Sequence, residues 1–201
     1  MSESQVNAVI LAAGLGKRLG LGPKAWVRLD GKTLLERAAE TLQSAGVRRI
    51  VAVLPPGFDS PSPPCFTLHN PCIDTGPYGS LHLGLKQLDP LTGPLLMMPV
   101  DHPLVLPQTI ETLIAQSMNG SLPETPYISP TYQGTAGHPV LLQENALKVL
   151  RKTPPSDSVT LRHVLQESGE GLLCPVDDPG ILFNVNHPED LADAKEQLKD
   201  S

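Results

Sequence analysis

The residues best suited to chemistry lie near the N-terminus. Ala12-Ala13-Gly14-Leu15-Gly16-Lys17-Arg18-Leu19-Gly20 is followed closely by Pro23-Lys24. Three glycines let the backbone turn sharply and approach a ligand closely. Backbone N–H groups exposed in such a turn favour an anion, and Lys17, Arg18 and Lys24 add cations at the same place. The combination suits a polyphosphate. A second candidate is Asp101, which follows the apolar run Leu95-Leu96-Met97-Met98-Pro99-Val100. A bound polyphosphate favours a divalent cation that offsets its charge, and Mg²⁺ favours one or two carboxylates plus phosphate oxygens. Asp101 could also merely cap the turn before Pro103.

Two other glycine motifs do not fit. G-x-G-x-x-G would need Gly at position 19, which is Leu19, and the P-loop pattern ending in Gly31-Lys32-Thr33 would need Gly at position 26, which is Trp26. A dehydrogenase and a P-loop ATPase are therefore disfavoured. Asn70-Pro71 and Gly76-Pro77-Tyr78-Gly79-Ser80-Leu81 offer small residues that admit a flat base or ribose. Ser80 could add a donor there or simply cap a helix. Gly134-Thr135-Ala136-Gly137-His138 reads as a turn between two strand-like runs. By itself, His138 reads as an ordinary turn histidine. Asn186 stands three residues before Glu189, a spacing that suits a helix N-cap. His69, His82, His102, His163, His187, Trp26 and the cysteines carry no catalytic argument.

These residues need elements to hold them. Residues 6–11 form a short apolar run rich in β-branched side chains, which reads as a buried strand. Thr33-Leu34-Leu35-Glu36 is a capping box, and the helix it opens ends at Gly46. Strands are expected at 49–54, 65–69, 95–100, 127–131, 138–142, 172–176 and 181–185. Further helices are expected at 80–88, 107–118, 147–152, 159–167 and 188–199. Proline-rich stretches at 55–64 and 123–130 read as irregular loops. Strands alternating with helices imply a three-layer α/β fold with a mostly parallel sheet. In such sheets ligands bind at the carboxyl ends of the strands. That rule gathers residues 12–24, 70–80, Asp101 and Asn186 into one crevice.

A chain of 201 residues suits a single domain, 1–201. The apolar share of 40% supports a core, and 3% aromatic content makes that core mostly aliphatic. A net charge of −6 argues against a nucleic-acid surface, so the cations of the first loop suit a small anionic ligand. No apolar stretch reaches membrane-spanning length and residues 1–6 are polar, so a cytoplasmic protein is expected, with no membrane partner. Three cysteines without zinc spacing fit reduced thiols.

L-A-A-G-x-G-x-R-x-G followed by P-K resembles the signature of nucleotidyltransferases that join an NTP to a phosphorylated acceptor. The later motifs resemble the same superfamily in order, and the chain is most similar to the molybdenum cofactor nucleotidyltransferases, especially the cytidylyltransferase. The resemblance implies a Rossmann-like nucleotidyltransferase fold and Mg²⁺ as cofactor. It implies nucleotide binding by Leu11, Ala12, Ala13, Gly14, Gly16, Arg18, Lys24, Asn70, Gly79 and Ser80. Arg18, Lys24 and Asp101 would be catalytic, with Asp101 holding Mg²⁺. Asn186 stands where the family can carry a second metal ligand, and as a neutral amide it would be a weaker one. Gly134–His138 falls on the acceptor side, which gives His138 an acceptor phosphate to bind. Gly is usual at position 13 in guanylyl members, so Ala13 suits CTP over GTP. The acceptor would be a phosphorylated small molecule such as molybdopterin. Sugar-phosphate or methylerythritol-phosphate transfer is the alternative reading, and a non-catalytic nucleotide-binding domain is another.

Overall fold

The computed structural model describes residues 6–58, 64–118, 125–156 and 159–199. Parts of the two proline-rich stretches, residues 59–63 and 123–124, lie outside the described residues. In chain order the elements are β1 (Asn7–Leu11), β2 (Arg28–Leu29), β3 (Lys32–Thr33), α1 (Leu34–Ser44), β4 (Arg49–Leu54) and β5 (Phe66–His69). Then come α2 (Gly76–Leu88), β6 (Leu95–Pro99), α3 (Pro107–Met118), β7 (Tyr127–Tyr132), β8 (Thr135–Ala136) and β9 (Val140–Leu142). The last four are α4 (Glu144–Lys152), α5 (Leu161–Ser168), β10 (Leu172–Pro175) and α6 (Pro188–Gln197).

β1 lies near the centre of the sheet because nearly every side chain it carries is apolar and buried. It pairs in parallel with β4 on one side and β6 on the other. The full order is β10-β7-β9-β6-β1-β4-β5, with β8 on β7. β9 runs antiparallel to both β6 and β7, so the sheet is mostly parallel with one reversed region.

Alternate residues of β1 feed two cores. Ala8 and Ile10 join a cluster with Leu34, Leu35, Ile110 and Leu113 of α1 and α3. Val9 joins Leu81 and Leu85 of α2, Leu147 of α4 and Val164 of α5. Helices therefore cover both faces, the expected three-layer α/β arrangement. α1 starts where its sequence says it should. Thr33 Oγ1 accepts the Glu36 N–H at 3.1 Å, and the Glu36 carboxylate accepts the Thr33 N–H at 2.7 Å.

Several boundaries differ from the sequence expectation. α2 begins at Gly76 rather than Ser80, with Pro77 in its first turn. Proline is pre-set for that position and lacks the N–H that would go unpaired there. Ser80 is thus buried inside the helix and is not its cap. α2 also lies close on β1, because a side chain at Gly84 would collide with Val9. Residues 181–185 are not a strand. Asp178 accepts the Gly180 N–H at 2.9 Å and the Leu106 N–H at 2.9 Å, and this holds a short 3₁₀ turn, Pro179–Ile181, in its place. β9 begins two residues late, since Pro139 has no N–H for the ladder. α4 begins earlier, at Glu144, and α5 later, at Leu161 behind the cap Thr160.

Candidate active site

The glycine loop folds back on itself. Ala12 N–H donates to the Val53 carbonyl at 2.9 Å, which ends β1 squarely on β4. Gly16 then takes φ +61°, and a side chain there would run into the Gly22 carbonyl. Lys24 N–H returns to the Gly14 carbonyl at 3.0 Å. A 3₁₀ turn, Lys24–Trp26, with Ala25 buried fixes the direction of the Lys24 side chain.

That side chain ends between two oxygens. Lys24 Nζ donates to Asp101 Oδ2 and to Asn186 Oδ1, each at 2.6 Å. Arg18 donates to the same Asn186 oxygen at 3.1 Å. The Lys24 and Asp101 side chains are 13% and 20% exposed, so little water screens their attraction.

Backbone bonds explain the convergence of segments far apart in sequence. Val100 N–H donates to the Leu11 carbonyl at 3.1 Å, which sets Asp101 beside the end of β1. Val185 N–H donates to the Asp101 carbonyl at 2.8 Å, which sets Asn186 beside Asp101. The Asn186 side chain does not cap α6, contrary to one of the two readings above. The Asp190 carboxylate does so, accepting the N–H groups of Asn186 and His187 at 2.8 and 2.7 Å. Those bonds hold the Asp190 carboxyl below the usual carboxylate range. With the cap supplied from within the helix, the Asn186 amide is left to face the crevice.

Behind Asp101 lies a pair of imidazoles. His102 and His138 meet edge to face with ring centres 4.9 Å apart. His102 Nε2 is 4.0 Å from Asp101 Oδ1. Burial pushes His102 down to about 4; His138 and Lys24 add to the shift, while Asp101 and the Phe183 carbonyl oppose it. Burial also lowers His138, against the pull of Asp101. Both rings are neutral near pH 7 and can act as hydrogen-bonding groups there. The Nδ1 atoms of both are buried without a hydrogen-bond partner among the described residues.

Two cavities meet at Lys24. The smaller, about 310 Å³, is lined by Gly14, Leu15, Gly16, Lys17, Arg18 and Asn186 among others. The larger, about 630 Å³, takes in Leu11, Ala13, Ser80, Asp101 and His138. Gly14 and Lys24 belong to both. Three expected residues line neither cavity. Ala12 points into the core with no exposed surface. Asn70 is spent on the protein itself, donating to Ser80 Oγ at 3.1 Å and accepting the Cys72 N–H at 3.0 Å. Gly79 lies against Thr75, where any side chain would collide with the threonine hydroxyl. These two shape the wall on which Ser80 stands.

Ile73 and Asp74, in a 3₁₀ turn before α2, line the larger cavity within the 70–80 segment that the strand-end rule gathers. Ser156, Val159, Thr160, Leu161 and Arg162, around the start of α5, escaped sequence reasoning. They follow α4 rather than a strand, so the strand-end rule does not point to them.

Asp101 and Asn186 offer one carboxylate and one amide oxygen to a common point that already holds a cationic ammonium. Such a hard-oxygen pair fits Mg²⁺ or Mn²⁺ completed by waters and phosphate oxygens. Among the described residues no cluster of three His, Cys, Asp or Glu side chains could hold a metal alone. Also among the described residues, no helix is long and apolar enough to cross a membrane.

Residues 8–172 match the family described as the MobA-like NTP transferase domain. Among curated relatives, nicotine blue oxidoreductase of Paenarthrobacter nicotinovorans is 55% identical over 49 residues, 24% of this chain and 24% of that protein. The 2-C-methyl-D-erythritol 4-phosphate cytidylyltransferase of Deinococcus radiodurans is 46% identical over 61 residues, 30% of this chain and 26% of that protein. The matched stretches thus span about a quarter of each of these relatives. Among solved structures, molybdopterin-guanine dinucleotide biosynthesis protein A from Archaeoglobus fulgidus superposes with a TM-score of 0.71 at 20% identity, covering 97% of this chain and 100% of that one. Rv0371c of Mycobacterium tuberculosis, solved in complex with manganese, superposes with a TM-score of 0.68 at 21% identity, covering 96% and 98%. Both show the same fold. The chain belongs to the MobA-like NTP transferase family.

Proposed function

We propose, proceeding from that membership, that the protein is a cytoplasmic, single-domain nucleotidyltransferase of molybdenum cofactor biosynthesis. It transfers NMP from an NTP, with CTP favoured over GTP, to a phosphorylated acceptor such as molybdopterin, and pyrophosphate leaves. The observation that carries this reading is the meeting of Lys24, Asp101 and Asn186 at the mouth of the glycine loop.

The triphosphate lies along the smaller cavity, where Gly14, Gly16, Lys17 and Arg18 surround it. Asp101 and Asn186 would hold Mg²⁺, which offsets phosphate charge when bound. Lys24 joins both cavities, so its ammonium can leave the two oxygens and meet a phosphate between them. The nucleoside enters the larger cavity beside Leu11, Ala13 and Ser80. Ala13 faces that space, and its methyl group narrows the pocket, which suits a one-ring base. His138 lines the same cavity from the acceptor side. An acceptor phosphate oxygen attacks the α-phosphorus, and the bond to the β-phosphate breaks. No protein nucleophile takes part. The side chains position the reactants and stabilise the charge that develops in flight.

Methylerythritol-phosphate transfer is a second reading, favoured by the 46% identical stretch shared with that cytidylyltransferase. Pyrophosphate release with each of the four NTPs, Mg²⁺ and a panel of phosphorylated acceptors separates the readings. Turnover of CTP with molybdopterin is expected. Turnover only with methylerythritol phosphate or a sugar phosphate would replace the acceptor. No release with any pair would leave a non-catalytic nucleotide-binding domain.

A further inference from the structure

The large cavity has a wall that no sequence motif marks. Ser156, Val159, Thr160, Leu161 and Arg162 form it, across from residues 73–80. Val159 and Leu161 are half-buried and pack on the core shared by α2, α4 and α5, so the wall has a fixed footing. Tyr78 strengthens that footing by donating its hydroxyl hydrogen bond to the Thr153 carbonyl, between α4 and the wall.

Charge in this cavity is scarce and unevenly committed. Of the described residues that line it, only Lys24 and Arg162 carry a lysine or arginine cation. Asp74 and Asp101 line it too. Lys24 is engaged with Asp101 and Asn186 at the triphosphate end. The Arg162 guanidinium makes no hydrogen bond or ion pair among the described residues. An acceptor phosphate entering beside two aspartates and an NTP meets repulsion from each of them. It needs a cation that the triphosphate does not already use.

We propose that Arg162 binds the attacking phosphate of the acceptor, and that Val159 and Leu161 beside it select an acceptor whose body is apolar or flat next to that phosphate. The proposal rests on the nucleotidyltransferase reading above. In the step it serves, an acceptor phosphate oxygen forms a bond to the α-phosphorus. The α–β bridging P–O bond breaks, and its electron pair leaves with pyrophosphate. Arg162 touches only the non-attacking oxygens. Its planar fork matches two phosphate oxygens at once, which an ammonium cannot do. Polyhydroxylated acceptors gain little beside Val159 and Leu161, whose side chains offer them no hydrogen bond.

The test loads the full-length protein with Mg²⁺ and a CTP analogue carrying a methylene between the α- and β-phosphorus. Phenyl phosphate is then titrated by calorimetry, with ribose 5-phosphate as a second arm. The wild type is expected to bind phenyl phosphate several-fold more tightly than ribose 5-phosphate. Arg162→Gln should weaken phenyl phosphate about tenfold or more, with analogue affinity held within about twofold; Arg162→Lys should keep part of the binding. Arg162 is exposed, so neither variant threatens the fold. Unchanged phenyl phosphate binding in Arg162→Gln, or none in the wild type, overturns the assignment of Arg162. Equal binding of ribose 5-phosphate overturns the role of the apolar wall. Failure of the wild type to bind the analogue instead brings down the nucleotidyltransferase reading, and this proposal with it.

Discussion

The two ends of the crevice are built on opposite principles. At the triphosphate end, Arg18, Lys24, Asp101 and Asn186 bond to one another, and backbone bonds from Val100 and Val185 fix the strand ends beneath them. At the far end, Val159, Leu161 and Arg162 line an open cavity with almost no polar contacts of their own. In the proposed reaction, the groups that would meet the transferring phosphates are tied to one another, and the groups that would choose the acceptor have room around them. Damage at the first end should therefore decide whether the reaction runs, and damage at the second which molecules take part.

The largest effects belong to the networked end. Asp101→Asn should lower turnover with Mg²⁺ by about 10²–10³ while circular dichroism and melting temperature stay close to wild type. Near-normal activity would make Asp101 only a turn residue. Lys24→Ala should fall on the same scale, and a loss under about threefold would reduce Lys24 to a surface cation. Asn186→Ala should cost less, roughly tenfold, because a neutral amide is the weaker partner. Its stability should hold, since Asp190 caps α6. A large drop in melting temperature would return Asn186 to a structural role.

The imidazoles behind Asp101 predict a smaller effect, on stability. His102, buried and with its pKa lowered to about 4, stays neutral in the folded protein at pH values where the unfolded chain binds a proton. Stability therefore rises with pH between about 4 and 6.5, and is lost as the pH falls through that window. His138 acts in the same direction. Urea titrations across that range should show the decline, and His102→Gln should flatten it. An equal slope in the variant would place the titrating groups elsewhere.

The smallest effect concerns the base. Ala13→Gly should relax the preference for CTP over GTP without destroying activity, since one methyl group rarely supplies more than about 1–3 kcal/mol of discrimination. Competition between the two nucleotides measures it. Equal use of both by the wild type would make Ala13 a packing residue.

The same contrast governs how much the sequence discloses. Lys24, Asp101 and Asn186 stand in motifs at strand or helix ends, so their meeting follows from a parallel sheet and the rule that ligands bind at its carboxyl edge. The direction of the Asn186 side chain does not follow. It depends on the Val185–Asp101 backbone bond and on a cap supplied by Asp190. Ser80 looks like a helix start by local chemistry, yet Pro77 and the contact of Gly84 with Val9 carry α2 a full turn further back. Residues 181–185 are mostly apolar and read as a strand, but Asp178 holds a 3₁₀ turn, Pro179–Ile181, at their start through partners 69 to 72 residues away. The wall at Val159–Arg162 carries no motif, and only packing against α2 and α4 brings it to the crevice. Local signals identify the residues that meet at Lys24; distant contacts decide what surrounds them.

The central claim is that Lys24, Asp101 and Asn186 mark the place where metal and nucleotide phosphates come together. Electron paramagnetic resonance of Mn²⁺, titrated into wild type and Asp101→Asn with and without CTP, tests it directly. Wild type should bind Mn²⁺ much more tightly with CTP present, and Asp101→Asn should lose that gain. Equal nucleotide-dependent Mn²⁺ binding by the two proteins would contradict the assignment of this cluster as the metal and phosphate site.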